Sequence, residues 1–187
     1  FCNSLLLFTT TLSSVDLGGS PFVNFALSAA GEVPGGIASL PVVRFCRRKK
    51  SQAFLLLLVG TMAILISALP QDMFWLRLVI NMMSRCLLVI SGAILWVYTM
   101  ELFPTSARCF GFAACFTMGR IGAIFSPFMR DLGAHVHIVA PTIVLTGASV
   151  CAAAAVSSLP ETLGLQLPDT FEEANNIGLD VRDTVIE

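Results

Sequence analysis

Charge is scarce in this chain of 187 residues: only 12% are Asp, Glu, Lys or Arg. A water-soluble domain carries roughly 25%, so there is too little charge to cover a water-facing surface. The net charge of −1 removes the basic footprint that nucleic-acid binding needs. Histidine is almost missing; His135 and His137 are the only two, and neither has a cysteine nearby. That excludes a Cys/His zinc site, whose ligands cluster at short spacing. No CxxC pair occurs among Cys2, Cys46, Cys86, Cys109, Cys115 and Cys151, so the cysteines read as small apolar residues in a reducing or lipid setting. Phosphate loops and dinucleotide fingerprints are missing as well, since Gly18-Gly19 and Gly35-Gly36 stand alone. The serines have no His or Lys partner at a plausible depth. No enzyme activity, cofactor or metal is therefore expected.

Apolar residues, in contrast, make up 56% of the chain, and mean hydropathy is +0.83. A bilayer core of about 30 Å needs ~20 apolar residues in a helix. Six apolar runs lie between polar breaks: Phe1–Ser14, Pro21–Val43, Ala53–Leu69, Leu76–Tyr98, Cys109–Phe128 and Ile138–Leu159. Stretches such as Phe54-Leu55-Leu56-Leu57-Leu58-Val59 do not alternate in polarity, which excludes barrel strands. The expected fold is an all-α membrane protein with six transmembrane helices over residues 1–159, followed by an acidic cytoplasmic tail, partly disordered, over 160–187. The first run is too short to span alone. The chain opens inside it without a charged n-region, so it reads as a fragment with a truncated first helix. Five basic residues in the seven positions Arg44–Lys50 place that loop in the cytoplasm, and with six spans the C-terminus lies there too.

Three charges fall inside the apolar runs: Glu32, Arg85 and Arg120. Each is disfavoured in lipid by roughly 2.5–3.5 kcal/mol, so each needs a partner or a wet cavity. One reading pairs Glu32 with Arg85 or Arg120 to hold the bundle together. The other places one or both arginines on a central aqueous pathway, where a guanidinium binds an anionic group bidentately. Pro34 and its flanking glycines predict a loosened helix beside Glu32. Gly111, Cys115, Gly119, Gly122 and Ser126 recur three or four apart and predict a close-packing face, with a kink at Pro127. The smooth, small run at Gly147-Ala148 and Cys151–Ala155 predicts a support helix.

Three motifs carry a resemblance. Tyr98-Thr99-Met100-Glu101-Leu102-Phe103-Pro104-Thr105-Ser106-Ala107-Arg108 resembles the "YT-x-ELYPT-x-x-R" loop of the organic cation, anion and carnitine transporter family, solute carrier family 22 of the major facilitator superfamily. Thr117–Pro127 is similar to its "TMAR-x-GSI-x-SP", and Leu159–Thr170 to its "LPETLG-x-x-LPDT". Arg44–Arg48 resembles a degenerate copy of the superfamily's "GRR" loop. The resemblance covers about residues 1–175. It implies the C-terminal half, helices 7–12, of a twelve-helix secondary transporter in the plasma membrane, working by alternating access with its site between two halves. The implied partners are a small organic ion substrate, the lipid bilayer and the N-terminal half of the transporter. Arg120 falls at a family position that is basic in anion and carnitine members, Arg85 at a second basic position, and Glu32 in a "V-[DE]-x-P" segment. Anion or zwitterion transport is expected ahead of cation transport. The chain departs from the pattern at Gly36, where anion members often carry lysine, at Phe8-Thr9-Thr10-Thr11, where they have tyrosines, and at Cys46, which replaces the "GRR" glycine. A truncated or divergent protein that does not transport and only interacts with a full-length relative is the alternative. For conformational gating, Glu101 is expected to pair with Arg47, Arg48 or Arg108 on the cytoplasmic side.

Overall fold

Large apolar side chains cover the outside of the bundle, and polar side chains share its interior with an apolar core. The computed structural model describes residues 1–17, 21–70, 73–105, 107–135 and 140–159. All regular structure among them is helical: α1 (Cys2–Ser13), a 3-10 turn (Ser14–Leu17), α2 (Pro21–Ala30), α3 (Glu32–Phe45), α4 (Arg48–Ala68), α5 (Phe74–Leu102), α6 (Arg108–His135) and α7 (Ala140–Ser157). Among the described residues, five helical stretches are long and apolar enough to cross a membrane, with α2 and α3 together forming one of them. The expected first span, α1, has 12 residues. At 1.5 Å per residue it is about 18 Å long, short of a bilayer core. The protein is a multi-pass membrane protein. The acidic tail at 160–187, with its expected helix near Asp169, lies outside the described residues.

The helix through Pro21–Phe45 breaks once, at Gly31, where the sequence predicts loosening. Pro34 occupies the first turn of α3, where its missing N–H costs no intrahelical bond. Pro41 sits further inside α3 and removes one such bond. At Pro127, α6 stays a single helix from Arg108 to His135.

Helix α5 is the centre of the bundle: 50% of its spanning window is buried, against 11–28% for the other spans. The most extensive contacts join α4 with α7, α3 with α5, and α1 with α6. Small residues let each pair approach closely. A Cβ on Gly35 would lie 2.8 Å from the carbonyl oxygen of Cys86 on α5. A Cβ on Gly122 of α6 would lie 2.6 Å from the Phe1 carbonyl oxygen, and one on Gly119 would lie 2.9 Å from Ser4 Oγ. Lower on the same face, Thr9 donates to Ser126 at 3.2 Å. Of the small-residue face expected on this helix, Gly119, Gly122 and Ser126 pack on α1, while Gly111 lies against the Phe103 ring and Cys115 is exposed. Between α4 and α7, Gly60 faces Ser149 directly. Leu6, Leu56, Val59, Leu88 and Ala153 form the main apolar core where α1, α4, α5 and α7 meet.

Candidate functional site

Arg85 lies near the middle of α5, with its side chain only 4% exposed. Its Nη2 donates to Glu32 Oε1 on α3, so the structure joins these two of the three intramembrane charges. The pair is asymmetric. Glu32 is 40% exposed and opens to the surface of the bundle, while Arg85 keeps Nε and Nη1 buried without a hydrogen-bond partner. One turn away, Ser28 donates to Asn81 Oδ1 at 3.4 Å and Asn81 Nδ2 donates to the Thr10 carbonyl at 3.4 Å. Further along α5, Gln52 Nε2 donates to Ser91 Oγ at 2.8 Å, and Ser91 donates to Asn3 Oδ1 at 3.0 Å. A polar seam therefore runs along α5, touching α1, α2, α3 and α4.

Arg120 stands apart from that pair. It lies on the exposed face of α6 and makes no ion pair with a described residue. Its guanidinium carbon sits 4.4 Å from the Phe116 ring centroid, within the range of a cation–π contact. Phe116 and Phe112 share that face and lie 5.5 Å and 5.1 Å from Trp96 of α5. Among the described residues Arg120 meets this aromatic ring and forms no ion pair with a carboxylate.

At the end of the bundle that carries the basic loop, Arg48 grips Glu101 with both carboxylate oxygens. Nε donates to Oε2 and Nη2 to Oε1, each at 2.6 Å. Nη1 donates to the Val43 carbonyl, also at 2.6 Å. The guanidinium thereby ties the ends of α3, α4 and α5 together. Both charged residues were expected in loops; Arg48 instead opens α4, and Glu101 lies in the last turn of α5. Of the three arginines expected for Glu101, Arg48 is thus the one bonded bidentately. Arg47 precedes the helix as its N-cap and is exposed. Arg108 opens α6, with Nε and Nη2 buried and without a hydrogen-bond partner.

Apolar runs and charge alone point to none of Asn3, Gln52, Asn81, Ser91 and the Trp96–Phe112–Phe116 cluster. Spacing marks some of them. Asn24, Ser28 and Glu32 repeat every four residues, and Asn81 and Arg85 follow the same interval on α5. Nothing in the sequence signals that Gln52 and Asn3 meet at Ser91.

Comparison with known proteins finds relatives over most of the chain. The chain is 32% identical to the human "Organic cation/carnitine transporter 2" over 166 residues, 89% of this chain and 30% of that protein. It is 29% identical to the "Organic cation transporter protein" of Drosophila melanogaster over 178 residues, 95% of this chain and 32% of the relative. The mouse "Solute carrier family 22 member 3" is 29% identical over 163 residues, 87% of this chain and 29% of the relative. The chain belongs to solute carrier family 22. No protein-family model matches the chain. This family member spans about 30% of the length of the curated relatives it matches. They are named as transporters or solute carriers, and none is named as an enzyme.

Proposed function

We propose that this chain is part of a plasma-membrane transporter of small organic ions, forming helices 7–12 of a twelve-helix protein that works by alternating access. The observation that carries the reading is the placement of ionisable side chains within lipid-length helices: Glu32 with Arg85, and Arg120 beside an aromatic cluster. Charges of that kind are costly in lipid and lie along ion or substrate pathways. Names of relatives such as "Organic cation/carnitine transporter 2" support a substrate that carries charge.

In this reading the face of α5 and α6 that carries Trp96, Phe116 and Arg120 lines the pathway, and the N-terminal half closes it from the other side. Arg120 attracts the anionic end of an anion or zwitterion, and aromatic faces accept a cationic or apolar end. Glu32 presents its exposed edge to the pathway, and Arg85 holds it in place. The Arg48–Glu101 pair, joined by Arg47 and Arg108 as the bundle rocks, locks one of the two access states. The basic loop and the C-terminus face the cytoplasm, by the excess of Lys and Arg at that end.

The test is uptake of labelled organic anions, zwitterions and cations by the full-length protein and its Arg120→Ala variant at equal surface expression. Anion and zwitterion uptake should fall at least tenfold. Equal uptake by both proteins removes Arg120 from the site. No uptake of any organic ion by either protein favours the non-transporting alternative.

A further inference from the structure

The exposed apolar surfaces of two consecutive helices end on bases at the turn that joins them. On α3, Ile37, Leu40 and Arg44 follow one another at helical spacing, and all three are exposed. On α4 the same order is mirrored: Lys50, then Phe54, then Leu57, again all exposed. Phe45, Cys46 and Arg47 lie between the two stripes and are exposed as well. Cys46 is extended at the end of α3 and Arg47 is the N-cap of α4, so Arg44, Arg47 and Lys50 gather around one short turn. The Arg44 guanidinium carbon lies 5.6 Å from the Phe45 ring centroid. That ring and the two apolar stripes belong among acyl chains. The three bases stand within about one helical turn of them, ~5.4 Å, which places them at the level of the lipid headgroups.

Charge at this turn is unbalanced. Arg44, Arg47 and Lys50 form no ion pair with a described residue, and Arg48 is held by Glu101. The N-terminus of α4 adds to the excess. It has no side-chain cap and no acid in its first turn, which reads Arg48-Lys49-Lys50. The first N–H groups of a helix have no partner within it, and the helix dipole makes that end positive. Acids are the residues that suit such an end, so a run of bases there opposes the dipole. An anion at the turn removes both faults, because it accepts from the helix end and neutralises the bases.

We propose that the α3–α4 turn binds the headgroup of a phosphoinositide. Arg44 and Arg47 hold phosphate oxygens through two-pronged guanidinium contacts, and Lys50 adds a compact charge. The start of α4 faces the remaining oxygens. A phosphate monoester carries about −1.5 to −2 charge, so a headgroup with two of them matches three bases and a helix end. Phosphatidylserine, with a single net negative charge, does not. The acyl chains run beside Leu40, Phe45 and Phe54, which a soluble phosphate would leave uncovered. The acidic stretch 160–187 of this same chain is the competing occupant. The exposed Phe45 favours a lipid over it, since a lipid carries its charge at the depth where that ring holds the bases. The site is separate from Arg120, Glu32 and Arg85. It rests on the reading that this end of the bundle faces the cytoplasm, the side on which phosphoinositides reside.

Full-length protein in phosphatidylcholine nanodiscs, titrated with a fluorescent phosphatidylinositol bisphosphate, tests it. Nanodiscs open both faces of the protein to the probe, so binding there depends neither on orientation in a cell nor on transport. The variant combining Arg44→Gln, Arg47→Gln and Lys50→Gln should bind at least about tenfold more weakly. Should it misfold, Arg47→Gln alone serves in its place, with a loss of about threefold or more. Equal binding by parent and variant overturns the proposal. So does displacement by phosphatidylserine at matched charge, which makes the contact a general attraction to anionic lipid. Displacement by soluble inositol trisphosphate as readily as by the lipid assigns the turn to a free phosphate and overturns it. A gain of about tenfold on removing residues 169–187 assigns the turn to the acidic tail and overturns it too. Orientation is read separately: Cys46 should resist an impermeant thiol reagent in intact cells. Labelling of Cys46 from outside overturns the cytoplasmic placement and with it the choice of lipid, whereas lost binding in nanodiscs overturns the site itself.

Discussion

Arg85 has five N–H donors and, in this arrangement, one carboxylate oxygen to satisfy them. Its environment is nearly dry, so the guanidinium depends strongly on Glu32. Removing one partner of a buried pair leaves an uncompensated charge, at a cost of roughly 3–5 kcal/mol for full burial. Glu32 is partly exposed, which lowers the figure for losing its carboxylate. Glu32→Gln should therefore destabilise the full-length protein by about 1–3 kcal/mol, read as a lower thermal midpoint in detergent. Glu32→Gln combined with Arg85→Gln should recover part of that loss, because the stranded charge is gone. Additive losses in the double variant would show that the two side chains act independently. Arg120, on its open face above Phe116, should behave differently, since its substitution strands no buried group. Arg120→Ala is expected to leave the thermal midpoint within about 0.5 kcal/mol of the parent.

At the scale of the element, the helix pairs are set by where a side chain is missing. Gly35 and Gly122 each leave a carbonyl oxygen within 3 Å of a would-be Cβ. Alanine at either position must push two backbones apart, and overpacking of this kind costs about 1–3 kcal/mol. Gly36 is the internal control: one residue along the same helix, it has nothing within 4 Å. Gly36→Ala should be neutral or stabilising by up to about 1 kcal/mol through helix propensity, while Gly35→Ala and Gly122→Ala lower the thermal midpoint. Equal midpoints for Gly35→Ala and Gly36→Ala would mean that α3 does not approach α5 this closely. Helix α5 illustrates a related point. Its apolar run suggests an end near Tyr98, but the helix continues to Leu102, and those last residues carry Glu101 to Arg48.

For the whole molecule, one guanidinium at the basic end spans three helix ends. Arg48 holds Glu101 with two bonds and the Val43 carbonyl with a third. Hydrogen bonds to charged groups contribute about 1.5–3 kcal/mol, enough to shift a two-state equilibrium roughly 10- to 150-fold. Glu101→Gln should weaken the clamp and change how readily thiol reagents reach Cys86 and Cys115 in the full-length protein. Unchanged modification rates at both cysteines would remove the clamp from the conformational cycle. Arg48→Lys should act in the same direction, since an ammonium cannot reproduce the planar two-pronged contact.

The amino-acid sequence by itself determined that the chain lives in lipid, because scarce charge and helix-length apolar runs leave no other way to satisfy the backbone. It also determined the break near Gly31, the close-packing glycines Gly119 and Gly122, and the family, through motifs that are contiguous in the chain. Which charges meet was decided only in three dimensions. Glu32 could reach either arginine on periodicity alone, and Glu101 had three candidates within the same basic end. The choice rests on the rotation and separation of helices 53 residues apart in sequence, for both Glu32 with Arg85 and Arg48 with Glu101. Helix periodicity says which residues share a face; which face meets which depends on the packing of all the helices together.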